Sequence, residues 1–361
     1  MRRFVISAPA RRSPRQLRHY HVSEADVKKA RDYCREQLKK GDSDAHLVAA
    51  CLPSRSRDIY LALRTLNSEL VRLPDNTTNP TIGAMRFQFW RESMQKTFRG
   101  EPPRQPICLL LSSVLSRLEA YASGPTSQLS SFRFWIARFL QARESGLANR
   151  PFPSLSEVES TAENTYSTLL YCVLAGIPLR SLHVDHLASH VGKAVGIVAV
   201  LRGIPILASP PARTVQTPRG PQPVAASQQL LLLPLDVMAK ARAREEDVFR
   251  QGPNAEGFRD AVFQVATRAN DHLITARTML SRLKDGQDAG HSFEHEHEMG
   301  QDYAPEAGED DIRLGFRVLL EALPTQAYLD NLQKADFDPW KVGRSWKLPW
   351  RLFRAMSTMQ I

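Results

Sequence analysis

Residues 181–207 read SLHVDHLASHVGKAVGIVAVLRGIPIL, the longest apolar stretch in the chain. Within it, Val184 to Leu201 is interrupted by Asp185, His186, His190 and Lys193. A bilayer span needs about 20 mostly apolar residues and tolerates few charged ones. This segment therefore reads as a buried helix over 181–203, apolar around most of its circumference.

The flanking sequence has the same helical period. Ser23-Glu24-Ala25-Asp26 resembles a capping box, and Val27, Ala30, Cys34 and Leu38 follow on one face. Further helices are expected over 56–73, 82–98, 106–121, 129–145 and 155–176. In the stretch 231–283, Phe258, Val262, Val265, Ala266, Ala269, Leu273, Ala276 and Leu280 fall on one face. Period-two strand signals are absent, so the expected class is all-α. Two segments do not fit a packed core. Residues 209–229 are rich in Pro, Gly, Ser, Thr and Gln, and residues 285–311 hold ten Asp and Glu with no Lys or Arg. Both read as disordered inserts in a single domain covering 23–340, followed by a basic aromatic tail over 341–361.

The net charge of +10 is unevenly distributed. Residues 1–22 carry six arginines and no acid, with Ser7 and Ser13, which is the composition of a mitochondrial transit peptide. Phe4-Val5-Ile6 is too short for a secretory core. The body is basic as well, and suits phosphates, anionic headgroups or an acidic partner. The aromatic-plus-basic patterns of RNA-binding modules are missing, so nucleic acid is not expected as a partner. The four cysteines, Cys34, Cys51, Cys108 and Cys172, are widely spaced and read as thiols packed in a reducing compartment.

Several pieces, in order, resemble the squalene/phytoene synthase family. Leu52-Pro53 and Asp58-Ile59-Tyr60-Leu61-Ala62-Leu63-Arg64 resemble the lead into its first acid-rich helix. Val191-Gly192-Lys193-Ala194 with Val200-Leu201-Arg202 resembles the frame of its second, and Leu232-Leu233-Pro234 its downstream end. Ala322-Leu323-Pro324 with Tyr328-Leu329 resembles its C-terminal signature. The resemblance implies one isoprenoid-synthase-like helical bundle around a central cavity. In such synthases, carboxylates on two facing helices hold Mg²⁺ ions that bind and ionise a substrate diphosphate.

The departures fall on those carboxylates. Of the positions near Ser68, Glu69 and Arg72, only Glu69 is acidic. On the second helix Gly196 stands where Gln is expected, Ala199 where Asn is, and Gly203 where the aspartate is. The resemblance thus implies a pseudoenzyme, with no catalytic residues, no metal and no cofactor. Its vestigial substrate pocket would be lined by Arg64, Glu69, Arg86, Gly192, Gly196 and Arg202.

Residues 62–70, 81–90, 162–165 with 169–171, and above all 183–194 resemble one branch of the family, mitochondrial complex I assembly factor 6. That branch implies a protein on the matrix side of the inner membrane, with complex I subunits or other assembly factors as partners. Two other readings stay open: a prenyltransferase with a rewired metal site around Glu69, and a module that carries a lipid in its cavity.

Individual residues carry sharper and blander readings. His183, His186 and His190 share a helical face, as metal ligands or as core and capping histidines. Gly192 and Gly196, one turn apart, either border the cavity or only let another helix approach. Arg64, Arg86, Arg91 and Arg202 could hold an anionic group or simply pair with nearby acids. Trp346, Trp350 and Phe353 lie in a basic context. They are expected to contact an anionic membrane surface, the alternative being that they pack back on the bundle.

Overall fold

The computed structural model describes residues 22–74, 80–121, 127–177, 179, 181–209, 214–217, 220–223, 229–287 and 309–361. The segment expected to be a transit peptide, up to residue 21, and most of the acidic insert lie outside the described residues. Among those described, the chain forms fifteen α-helices and one two-stranded hairpin. Helices α1 (Glu24–Gly41), α2 (Ser43–Cys51), α3 (Ser54–Val71), α4 (Pro80–Phe98), α5 (Pro106–Tyr121) and α6 (Ser127–Ser145) come first. Then follow α7 (Leu155–Ala162), α8 (Thr168–Ala175), α9 (Leu182–Leu207), α10 (Leu235–Ala241), α11 (Glu245–Gln251) and α12 (Phe258–Lys284). The chain ends with α13 (Glu309–Gly315), α14 (Ala322–Lys334) and α15 (Leu348–Thr358).

Helix α1 starts where its cap demands. The Ser23 hydroxyl accepts from the Asp26 N–H, and Ala30, Cys34 and Leu38 are buried. Helix α3 is held on both sides by Asp58, whose carboxylate is buried. Arg31 of α1 donates to it at 2.7 and 2.9 Å, and Arg117 of α5 at 2.9 Å. The eight apolar positions expected on α12 are all buried, each Val, Leu or Phe contributing about 1.5–3 kcal/mol.

Helix α9 is long and apolar enough to cross a membrane by length and composition, yet it forms the axis of the bundle. It packs against α7, α8, α12 and α14, with Val184, Leu187, Val191, Ala194, Val198 and Leu201 buried. It also runs past Gly203 to Leu207, four residues beyond the expected end. Pro205 sits in the last turn, where its missing N–H costs only one ladder bond.

Three other features differ from the sequence reading. The stretch 155–176 is not one regular helix: residues Glu163–Ser167 form a π-helical turn between α7 and α8. Part of the Pro-rich insert forms an antiparallel hairpin, β1 (Thr214–Thr217) with β2 (Gly220–Pro223), paired Thr214 to Pro223 and Thr217 to Gly220. The C-terminal tail includes α15, whose Leu348, Leu352 and Ala355 are buried in contact with α2 and α14.

Candidate functional site

Helices α3, α8 and α9 and the π turn surround the centre of the bundle, and their side chains nearly fill it. Among the described residues, the cavity there measures about 10 Å³ and is lined by Tyr60, Leu63, Arg64, Tyr166, Leu170, Val195 and Glu321 among others. That volume admits at most one water molecule.

Arg64 dominates this cavity. Tyr60 and Arg64 are four residues apart on α3, so they project from the same face. Arg64 Nη2 donates to Asp42 Oδ2 at 2.6 Å, and its Nε lies 3.6 Å from Glu321 Oε1. Tyr60 donates its hydroxyl to the same Glu321 oxygen. Both Arg64 and Glu321 are buried. Burial alone would lower the Arg64 pKa, but the charges of Glu321 and Asp42 outweigh it and hold the guanidinium firmly protonated. Burial pushes the Glu321 carboxyl up, with Arg64 offsetting part of the rise. Asp42 moves the other way. Desolvation would raise it, but Arg64, the Ala45 N–H and Arg202 together bring it below the usual carboxylate range. The guanidiniums of Arg64 and Arg143 both lie over the Tyr166 ring, at 5.4 and 5.2 Å.

The second expected arginine is similarly occupied. Arg202 donates to the Pro324 carbonyl at 3.0 Å, pairs with Asp44 at 3.0 Å, and lies 5.0 Å over the Tyr328 ring. It opens onto a cleft of about 380 Å³ between α2, α14 and the approach to α15. Arg64 and Arg202 are thus brought close to one another, paired with Asp42 and Asp44 respectively at the α1–α2 junction.

The remaining pocket residues go elsewhere. Glu69 faces α1, where Tyr33 donates to it at 3.3 Å, and is not part of the cavity wall. Arg86 is exposed on α4, and Arg91 pairs with Glu144 of α6. Gly192 and Gly196 do not line the cavity either, although Val195 between them does. A Cβ on Gly192 would collide with the Ser167 backbone, and one on Gly196 with Ala162. The two glycines exist for close packing of α9 against α7 and the π turn.

The histidine face of α9 joins a hydrogen-bonded stack. His186 and His190 rings lie 5.1 Å apart, and His190 Nδ1 is 3.0 Å from His272 Nδ1. His272 Nε2 is 2.7 Å from Glu159 Oε1, which also accepts from Arg268. Among the described residues no group of three His, Cys, Asp or Glu could hold a metal ion. The thiols are packed as the spacing implied: Cys34, Cys108 and Cys172 are buried and Cys51 half-buried, all free.

The profile of the squalene/phytoene synthase family matches residues 38–354. The chain belongs to that family. Solved structures of the family agree with the fold. A dehydrosqualene synthase in complex with ligand superposes with TM-score 0.63 at 13% identity, over 93% of this chain and 98% of that one. The squalene synthase HpnC of Alicyclobacillus acidocaldarius gives 0.58 at 13% identity, over 88% and 98%. Higher identity is found with proteins named "NADH dehydrogenase (ubiquinone) complex I, assembly factor 6". The rat protein is 30% identical and the bovine one 32%, each over 85% of this chain and 74% of the relative. The human protein is 32% identical over 68% of this chain and 65% of its own length.

Within a squalene/phytoene synthase frame, this interior does not fit Mg²⁺. The ion demands oxygen ligands in near-octahedral array, usually one or two carboxylates plus phosphate. Here the carboxyl on the cavity wall, Glu321, is committed to Tyr60 and Arg64, and neighbouring Asp42 to Arg64 and the first turn of α2. What the arrangement does chemically is neutralise Arg64 and Arg202, whereas Arg143 beside the Tyr166 ring keeps its Nε and Nη2 without a hydrogen-bond partner among the described residues. Glu321, Asp42, Asp44 and Tyr166 were not singled out in the sequence. A signal existed for Glu321, the lone acid in Phe316-Arg317-Val318-Leu319-Leu320-Glu321-Ala322-Leu323-Pro324. Asp42 carries no such mark, because a short capping acid looks the same whether or not it also reaches an arginine.

Proposed function

We propose that this chain is a non-enzymatic assembly factor for mitochondrial respiratory complex I. It acts on the matrix side of the inner membrane and engages complex I subunits or other assembly factors there. The observation that carries the reading is Arg64: a cation that diphosphate chemistry would need exposed is enclosed by Asp42 and Glu321, over a cavity of about 10 Å³. Arg64 and the neighbouring Arg202 are already committed to acids of this chain, which leaves them little capacity to offset the charge developing on a departing diphosphate. The names of the rat, bovine and human relatives support the complex I assignment, and the arginine-rich residues 1–22 support import.

The competing readings find less support. A rewired metal site built on Glu69 would need that carboxylate in the cavity, and it bonds Tyr33 instead. Carriage of a lipid would need a hollow far larger than the cavity of about 10 Å³ beside Arg64.

Deleting the gene and resolving respiratory complexes on native gels tests the proposal. Loss of assembled complex I, with the other complexes retained and rescue by the wild-type chain, is expected. Normal complex I assembly in the deletion rejects it. Incubating the purified chain with prenyl diphosphates and Mg²⁺ is expected to release no diphosphate, and sustained turnover would reinstate the enzyme.

A further inference from the structure

The C-terminal helix is apolar on two faces, and only one is covered. Leu348, Leu352 and Ala355 turn into the bundle. Trp350 and Phe353 point away from it, 62% and 66% exposed, and Trp346 in the preceding turn is 83% exposed. Large apolar side chains left in water at this density call for a covering surface.

The charge around them is of one sign. Asp338 is the last acid in the chain, and beyond it come Lys341, Arg344, Lys347, Arg351 and Arg354. Two of these bases sit against the exposed rings, Lys347 Nζ 5.3 Å from the Trp346 centroid and Arg354 Cζ 5.8 Å from that of Trp350. Arg351, at the edge of the buried face, is tied to Asp330 at 3.0 Å. Tryptophans beside lysine and arginine, with no acid between them, match a phospholipid interface. The rings enter the headgroup–acyl boundary and the bases meet lipid phosphates.

We infer that the face formed by Trp346, Trp350 and Phe353, rimmed by Arg344, Lys347 and Arg354, docks this protein peripherally on an anionic phospholipid bilayer. Only the identity of that membrane, the mitochondrial inner one, rests on the assembly-factor reading. The helix lies in the interface plane with its opposite face still packed on α2 and α14, so docking requires no unfolding.

The test uses the full chain and its tryptophan fluorescence. Vesicles are phosphatidylcholine with about one quarter phosphatidylglycerol and brominated acyl chains, against brominated phosphatidylcholine alone. Residues 1–22 contain no tryptophan, so binding through that basic segment leaves the signal unchanged. Of the other three tryptophans, Trp90 is buried, and Trp135 and Trp340 are half-buried against Tyr171 and Phe258. The exposed Trp346 and Trp350 therefore carry the quenching, and the triple aromatic variant supplies the residual signal of the rest. Quenching by the anionic vesicles, much weaker on neutral ones, is expected. Trp346→Ser/Trp350→Ser/Phe353→Ser should lose the quenching and bind anionic vesicles about tenfold more weakly in flotation. Arg344→Gln/Lys347→Gln/Arg354→Gln should retain all the rings and lose the preference for anionic lipid. An unchanged melting temperature in both variants excludes misfolding.

No quenching of the wild type, or equal flotation of the triple aromatic variant, overturns the inference. An aromatic variant that floats normally yet fails to rescue complex I assembly marks the face as a protein-docking surface, which also overturns it. The two proposals fail separately. A wild type that ignores vesicles but rescues assembly sinks the docking face alone; one that binds them while complex I assembles without it sinks the assembly role alone.

Discussion

Asp42 caps α2 by accepting from the Ala45 N–H at 3.1 Å and, through its other oxygen, receives Arg64 Nη2 at 2.6 Å. One carboxylate thus starts a helix and neutralises the central cation of the bundle. The two roles can be separated. Asp42→Asn keeps a capping oxygen and loses the charge, whereas Asp42→Ala loses both. Asp42→Ala should be less stable than Asp42→Asn by about 1 kcal/mol, the usual worth of a side-chain cap, read from urea midpoints.

Arg64 should be the most sensitive position in the site. Arg64→Met leaves Glu321 buried without a counter-charge and should cost about 3–5 kcal/mol. Combining it with Glu321→Gln removes the orphaned charge and should recover most of that loss. Denaturant unfolding of the two variants measures the difference; equal stabilities would mean that the pair is not coupled.

The glycines of α9 should rank by what surrounds them. Gly192→Ala and Gly196→Ala force a methyl into Ser167 and Ala162, and each should cost about 1–3 kcal/mol from overpacking. At Gly203 the new Cβ would meet only Leu207 Cδ1, at an ordinary 3.6 Å. There alanine should be neutral or stabilising by up to about 1 kcal/mol through helix propensity. Thermal melts of the three variants check the order.

Acid should weaken the α7–α12 contact through Glu159. Burial would raise this carboxyl, but hydrogen bonds from His272 and Arg268 outweigh it and bring it down from 4.5 to about 2. A carboxylate whose pKa is depressed by folding stabilises the native state above its unfolded pKa. That contribution fades as pH falls from about 4.5 toward 2. Glu159→Gln should lose roughly 2–3 kcal/mol at neutral pH and show a flatter acid limb, measured as unfolding free energy against pH.

The thiols should be distinguishable by reactivity. Burial pushes Cys34 and Cys108 up to about 12 and Cys172 higher still, so none presents a thiolate near neutrality. Cys51 is half-buried. A colorimetric disulfide reagent should therefore titrate at most Cys51 in the native protein, and all four cysteines after denaturation. Rapid native reaction of Cys172 would show that the α8 packing opens readily.

Local chemistry fixed much of this molecule before any tertiary contact. Ser23 announced the start of α1, the spacing of Phe258 to Leu280 gave the buried face of α12, and the order of short motifs placed the chain in its family. These depend on neighbours within a turn or two, which a linear reading contains. The tertiary structure alone decided that Arg64 meets Asp42, 22 residues away, and Glu321, 257 residues away, while Glu69 leaves for Tyr33. It also turned Gly192 and Gly196 into packing contacts and left Trp350 outside as Leu352 went in. An ion pair or a close helix crossing depends on how distant segments converge to within a few ångströms, and periodicity along one helix holds no information about its partner.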